Sequence, residues 1–244
     1  MKLFKSVLKY ITLGVVFGLW FGAFLVPSPE YVPDYKEIRS SSYTISEKRA
    51  VHLSLDSVVR IFSISGDSIG LSSLTGTYFE HDGDYYVLTS AHGILGDCSR
   101  VMIIHMEEQV SCEKITIIDR TTDYAVIKTQ EMKTRKPLNL RKSLPNIKNS
   151  YKLLDKVYYT GYPNSIGPTT WTGTIAGTSG DYLILQSYAW SGSSGSGVFD
   201  ERGKLIGIVM ALDVGKTAMG TQVLENFVIV VPIWRIDWQK AFTE

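Results

Sequence analysis

Short runs rich in β-branched and aromatic residues recur along almost the whole chain: Ser57-Val-Val-Arg-Ile-Phe62, Tyr85-Tyr-Val-Leu88, Val101-Met-Ile-Ile104, Ile115-Thr-Ile-Ile118, Lys156-Val-Tyr-Tyr159, Tyr182-Leu-Ile-Leu185 and Phe227-Val-Ile-Val-Val231. Runs this short, separated by turn residues, suit strands better than helices. They predict an all-β domain, a barrel or a sandwich. The 244 residues, 44% of them apolar and 21 of them glycine, are enough for a sizeable core with many turns. The segment Met132 to Ser150 is rich in Lys, Arg, Pro and Asn, but the formal net charge of the chain is only +1. Its basic run therefore reads as a solvated surface, and a nucleic-acid partner is not expected. Pro232 to Phe242 reads as a short terminal helix with Ile233, Trp234 and Trp238 on its apolar side.

Three segments carry chemistry. Trp190-Ser-Gly-Ser-Ser-Gly-Ser-Gly-Val-Phe199 places serines among glycines ahead of Gly203 and the apolar run Leu205-Ile-Gly-Ile-Val209. Val87-Leu-Thr-Ser-Ala-His-Gly93 puts His92 just after a strand-like run, and Arg120-Thr-Thr-Asp-Tyr-Ala-Val-Ile127 puts Asp123 just before another. The chain order is His, Asp, Ser, unlike the Ser, acid, His order of hydrolases built on a nucleophile elbow or the Asp, His, Ser order of subtilisins. Ser193, Ser194 and Ser196 all lie in the loop, but Ser194 alone has glycine at both the −2 and +1 positions. Glycine at −2 lets the backbone turn an amide inward beside the amide of the nucleophile itself. Asp119 is the alternative acid, and it lacks the Ala-Val-Ile run immediately after it. His52, His81 and His105 have no such company and read as structural.

At these residues the chain resembles the trypsin-like serine peptidases, most closely the HtrA/Deg-type protease domains and the glutamyl endopeptidase and exfoliative-toxin group. Thr89-Ser-Ala-His92 is similar to the T-x-A-H motif, Asp123-Tyr-Ala-Val-Ile127 to D-x-A-V-L, and Gly192-Ser-Ser-Gly-Ser196 to G-N-S-G-[GS]. Thr75-Gly-Thr-Tyr-Phe79 and Thr160-Gly-Tyr-Pro163 are weaker echoes of G-S-G-F and I-G-x-P. The resemblance spans roughly Asp56 to Trp238. It implies two six-stranded antiparallel β-barrels of chymotrypsin type: a first barrel at about 51–131, a connection at about 132–150, a second barrel at about 151–232 and a C-terminal helix at about 233–242. It also implies a serine endopeptidase acting on protein or peptide substrates through an acyl-enzyme, without metal or organic cofactor. His92 would be the general base, because an imidazole exchanges protons near neutrality. Asp123 would orient that imidazole, Ser194 would be the nucleophile, and the backbone amides of Gly192 and Ser194 would form the oxyanion hole. The alternative is a catalytically idle member of the fold that engages protein partners through its cleft.

Departures from the resemblance bear on specificity. Tyr188 stands six residues before the nucleophile where a trypsin would carry an aspartate, and Ile208-Val-Met-Ala-Leu212 lacks the histidine of the glutamyl endopeptidases. An apolar pocket of Tyr188, Val209, Met210 and Ala211, taking small or aliphatic side chains, is the expectation. Ser193 replaces the usual Asn or Asp before the nucleophile, which leaves open how the loop is held. No PDZ domain is expected after the terminal helix.

Tyr10 to Val26 is a 17-residue run without charge, preceded by Lys2, Lys5 and Lys9. It sits at the short limit for crossing a hydrocarbon core of about 30 Å. Residues 1–26 are therefore expected to be a signal-anchor or transmembrane helix, with a cleaved secretory signal as the alternative. Either way the lysines predict an extracytoplasmic catalytic domain, attached to the membrane unless the signal is removed. Residues 27–50, with Pro27, Pro29 and Pro33, would be a linker ahead of a domain at 51–244. Cys98 and Cys112, 14 residues apart around a strand that begins at Val101, are compatible with a disulfide in that compartment and with free thiols in the cytosol.

Overall fold

The computed structural model describes residues 42–66, 69–144, 151–217 and 220–243, and of 211–225 the backbone alone. Two antiparallel barrels account for most of it. The first contains β1 (Val58–Ile64), β2 (Leu71–His81), β3 (Asp84–Thr89), β4 (Val101–His105), β5 (Glu108–Asp119) and β6 (Tyr124–Thr129). They pair in the order β1-β4-β5-β6-β3-β2, and β2 closes the barrel on β1, with Val59 opposite Gly76. A two-residue strand, β7 (Leu138–Asn139), adds to β2 in parallel. The second barrel is built from β8 (Lys156–Gly161), β9 (Thr169–Ser179), β10 (Tyr182–Gln186), β11 (Gly197–Asp200), β12 (Leu205–Thr217) and β13 (Gly220–Pro232), closed in the order β8-β9-β10-β13-β12-β11.

The two-residue period of each strand decides where its side chains go. Val59 and Ile61, Val101 and Ile103, and Ala125 and Ile127 fill the first barrel. Val157 and Tyr159, Leu183 and Leu185, and Val228 and Val230 fill the second. Residues of the opposite parity, among them Phe79, Leu88, Val126, Tyr158, Phe199 and Ile208, form a third cluster that the two barrels share. Tyr124-Ala-Val-Ile127 is consequently buried on both faces, which is why its sequence is continuously apolar instead of alternating.

A helix, α1 (Ile45–Ser57), precedes the first strand, so the end of the expected linker is folded. Thr44 and Glu47 close a capping box: Thr44 Oγ1 accepts from the Glu47 amide at 3.3 Å, and the Thr44 amide donates to Glu47 Oε2 at 2.7 Å. The other carboxylate oxygen accepts from Lys156 Nζ at 2.8 Å and from the Tyr158 hydroxyl at 2.7 Å. Lys156 first, then Tyr158 and Thr44, hold the Glu47 carboxyl well below the usual carboxylate range. Ala50, Val51 and Leu55 join the shared cluster. Residues 44–50 of the expected linker are therefore part of the folded unit, and residues 27–41 lie outside the described residues.

The terminal helix is also divided. A 3₁₀ turn at Ile233–Arg235 is followed by one α-helical turn, α3 (Trp238–Ala241). The break falls at Ile236 and Asp237, where the Asp237 amide donates to the Tyr124 hydroxyl at 3.1 Å and its carboxylate accepts from the Lys240 amide at 2.9 Å. A single short helical turn, α2 (Leu140–Ser143), lies in the connection between the barrels. Cys98 and Cys112 are joined in a disulfide, with Cα atoms 5.3 Å apart. The apolar run Tyr10 to Val26 lies outside the described residues, and among the described residues no helix is long and apolar enough to cross a membrane.

His105 ends β4 with 2% of its surface exposed. The Thr134 hydroxyl lies 2.9 Å from His105 Nδ1 and donates its proton to Glu108 at 2.6 Å, so Nδ1 carries the hydrogen of the imidazole. Burial, with the Arg135 charge beside it, depresses His105 to about 4. An unfolded histidine protonates near 6.5, so between those values the unfolded chain binds a proton that the folded chain does not. Stability contributed by the neutral ring is then lost as pH falls through that window. The urea midpoint of the wild type is expected to drop from pH 6.5 to 4, and that of His105→Gln to drop less; parallel curves for the two proteins would refute the assignment.

Candidate active site

His92 lies on the turn after β3, and Asp123 at the end of the turn between β5 and β6. The carboxylate holds the histidine at two points: Oδ1 accepts from the His92 amide at 2.7 Å, and Oδ2 lies 2.8 Å from Nδ1. An ionised carboxylate only accepts hydrogen bonds, so Nδ1 carries the proton and Nε2 keeps its lone pair. The histidine side chain is 51% exposed and the aspartate side chain 10%.

Local geometry explains why this aspartate and not Asp119 is placed there. Asp119 caps the turn, with Oδ1 accepting from the amides of Thr121 at 2.8 Å and Thr122 at 3.0 Å. The Thr122 amide is the first cause that keeps the Asp119 carboxyl low. Asp123 donates its own amide to the Asp119 carbonyl at 2.8 Å and sits at φ +69°, a left-handed conformation that aspartate tolerates better than branched residues. Between them, Arg120 reaches back to the carbonyls of Ala91 at 3.0 Å and Ile94 at 2.8 Å. One five-residue turn thus supplies both the carboxylate partner of His92 and a guanidinium that braces the backbone on either side of it. Arg120 was not legible as a site residue, since nothing local distinguishes it from a surface arginine.

The serine loop separates its three candidates by environment. Ser193 and Ser196 are fully buried. Ser193 Oγ accepts from the Trp190 amide at 3.3 Å, and Ser196 Oγ donates to the Ser193 carbonyl at 2.7 Å. Ser194 is half-buried, the one serine of the three that reaches the surface. Gly192 and Gly195, at φ +95° and +90°, allow the loop to lie against its supports. A Cβ on Gly192 would come within 2.3 Å of the Tyr162 carbonyl oxygen, and one on Gly195 within 2.0 Å of that of Thr75.

Every carbonyl from Ser191 to Ser194 is anchored. The acceptors and donors pair as Ser191 with the Asn164 amide at 2.7 Å, Gly192 with Thr75 Oγ1 at 2.7 Å, Ser193 with the Ser196 amide at 3.1 Å, and Ser194 with the Thr75 amide at 2.9 Å. The amides of Ser193 and Gly195 are engaged by the carbonyls of Trp190 and Val209. Among the described residues, the amides of Gly192 and Ser194 donate to no acceptor. Because C=O and N–H point in opposite directions across a trans peptide, anchoring the Ser191 and Ser193 carbonyls turns those two amides away from the supports. This is how the loop is held without an Asn or Asp at 193.

The residues expected to form an apolar pocket differ in their surroundings. Val209 is in the core of the second barrel, and its backbone carbonyl accepts from Ser90 Oγ at 3.0 Å as well as from Gly195. Met210 packs against the cluster shared by the barrels, and the Ala211 side chain lies outside the described residues. Tyr188 alone of the described three is largely exposed, at 54%, and Trp190 beside it is a comparably exposed ring that the sequence reading did not include.

Two barrels with a histidine–carboxylate pair on the first and a glycine-flanked, accessible serine on the second define the chymotrypsin-type serine peptidase architecture. Residues 74–208 match the model of the trypsin-like peptidase domain. The chain belongs to that family. It is similar in structure to the Rv3671c protease of M. tuberculosis in its active form, with a TM-score of 0.60 and 19% identity over 76% of this chain and 79% of that one. The serine endoprotease from Yersinia pestis gives 0.58 and 23% over 78% and 64%, and the HtrA-type protease AlgW with tripeptide gives 0.58 and 18% over 83% and 60%. The chain thus spans less than two thirds of the latter two. A comparison with curated protein sequences finds no match.

The register of the serines can be checked by stability alone. Ser196→Ala, which removes a buried hydrogen bond, is expected to cost about 1 kcal/mol in urea unfolding, whereas Ser194→Ala should stay within about 0.5 kcal/mol of wild type. The reverse ranking would reassign the two hydroxyls.

Proposed function

We propose that Ser194 is the nucleophile of an endopeptidase that hydrolyses peptide bonds through an acyl-enzyme. The Ser194 hydroxyl oxygen bonds to the substrate carbonyl carbon while its proton passes to His92 Nε2. As the tetrahedral intermediate collapses, the C–N bond breaks and the same proton goes to the leaving amine. Water, deprotonated in turn by His92, then releases the acyl group and returns the proton to Ser194. Asp123 keeps Nδ1 protonated and stabilises the imidazolium. The amides of Gly192 and Ser194 receive the oxyanion, each such donor contributing about 2.7 to 4 kcal/mol in related sites. The observation that carries this reading is the pair of amides without acceptors at the accessible serine, within a loop whose carbonyls are all turned away. A collapsed loop, as a purely binding module could carry, would have a carbonyl in that place.

Substrates are proteins or peptides. The exposed rings of Tyr188 and Trp190 ahead of the nucleophile support an apolar preference over a charged one. The Cys98–Cys112 disulfide supports an oxidising compartment, consistent with an extracytoplasmic domain delivered or anchored by Tyr10 to Val26.

A biotinylated fluorophosphonate, which needs an activated serine and a formed oxyanion site but no knowledge of the substrate, provides the test. Labelling is expected at Ser194 by peptide mapping and should vanish in His92→Ala. Asp123→Ala is expected to lower turnover by about 10⁴. Folded wild-type protein that stays unlabelled would sink the enzymatic reading in favour of a binding role.

A further inference from the structure

Thr75, on β2 of the first barrel, is buried and touches no titratable group of the site, yet nearly all of its polar atoms are engaged with the serine loop or its supports. Its amide donates to the Ser194 carbonyl at 2.9 Å. Its hydroxyl donates to the Gly192 carbonyl at 2.7 Å and accepts from the Tyr162 amide at 2.9 Å. Its carbonyl accepts from Thr89 Oγ1 at 2.7 Å. The two carbonyls held by Thr75 belong to the same two residues whose amides lack acceptors.

We infer that Thr75 is a positioning residue for the oxyanion site, its hydroxyl acting as a two-way link that locks Gly192 onto the Tyr162–Asn164 segment. This inference rests on the proposed roles of Gly192 and Ser194. Gly192 is at φ +95°, where a glycine has several backbone conformations of similar energy, so its orientation must come from outside the loop. On its N-terminal side the Asn164 amide, from a residue itself at φ +45°, fixes the Ser191 carbonyl. On its C-terminal side the Thr75 hydroxyl fixes the Gly192 carbonyl. With both flanking peptides pinned, the Gly192 amide has one direction. Rotating the second peptide would leave the Gly192 carbonyl buried without its donor, which costs the desolvation of that group. A side chain without a hydroxyl removes that penalty and, in addition, strands the Tyr162 amide.

The test compares fluorophosphonate inactivation of the full chain as wild type, Thr75→Val and Thr75→Ser, separating the limiting rate kinact from the half-saturating concentration KI. Thr75→Val, close in shape but without the hydroxyl, is expected to lower kinact about 10- to 100-fold with KI nearly unchanged. Thr75→Ser, which keeps the donor and acceptor, should recover to within about 3-fold of wild type. His105→Gln, a destabilising change remote from the serine loop, should label at the wild-type rate, which separates positioning from a general loss of stability. If Thr75→Val does not fold, Thr75→Cys, with similar volume and a much weaker donor, takes its place and is expected to show the same drop in kinact. Wild-type kinact in folded Thr75→Val or Thr75→Cys, or a defect in KI alone, would overturn the inference while leaving the proposed function intact. Wild-type protein that is not labelled at Ser194 would instead remove the functional reading, and this inference with it.

Discussion

The site depends on a buried polar seam between the barrels. His92 and Asp123 belong to one barrel and Ser194 to the other, so no single sheet fixes their relative positions. Apolar packing in the shared cluster drives the barrels together, but it is non-directional and tolerates small shifts. Hydrogen bonds between buried groups do not, since in a low-dielectric interior each is strong when made and costly when lost. Along the seam, Thr75 holds the serine loop from β2, Thr77 Oγ1 approaches the Gly195 carbonyl at 3.3 Å, and Ser90 Oγ reaches Val209. Small hydroxylated side chains thus set the register between the barrels, and all three precede or adjoin the turn that carries His92.

The opposite wall of the site is fixed by a different device. The turn from Asp119 to Asp123 satisfies its own amides with the Asp119 carboxylate and places Asp123 in a left-handed conformation. It then extends Arg120 across to the backbone on either side of His92. A residue at positive φ carries some strain, which the bonds from Asp123 to the His92 amide and ring and from Asp123 to the Asp119 carbonyl offset. Asp123 therefore holds both the backbone of His92, through its amide, and the imidazole, through Nδ1.

What the sequence made legible was local. Strand runs are read from neighbours one and two positions apart, and the choice of Ser194 follows from glycines at −2 and +1, a requirement of the backbone within a single turn. Thr75 escaped because its contact with Gly192 spans 117 positions, and a threonine in a β-rich run looks like any other strand residue. Helix α1 escaped for another reason: it buries Glu47, Ser54 and Ser57 against the barrels along with its apolar residues, which blurs the helical periodicity. The capping box from Thr44 to Glu47 was a local sign of its start, obscured by the prolines upstream. Of the expected pocket residues on β12, Val209 and Met210 join different clusters, a difference that neighbouring positions in the sequence do not reveal.

Helix α1 also limits where the domain can be separated from whatever precedes it. With the Glu47 carboxylate tied to Lys156 and Tyr158, and Ala50, Val51 and Leu55 inside the shared cluster, the first turn of this helix is as much a part of the folded unit as any strand. Scission within Ile45–Ser57 would strip a buried carboxylate from two partners and uncover the apolar cluster shared by the barrels. A cut that keeps these contacts must therefore fall on the N-terminal side of Thr44.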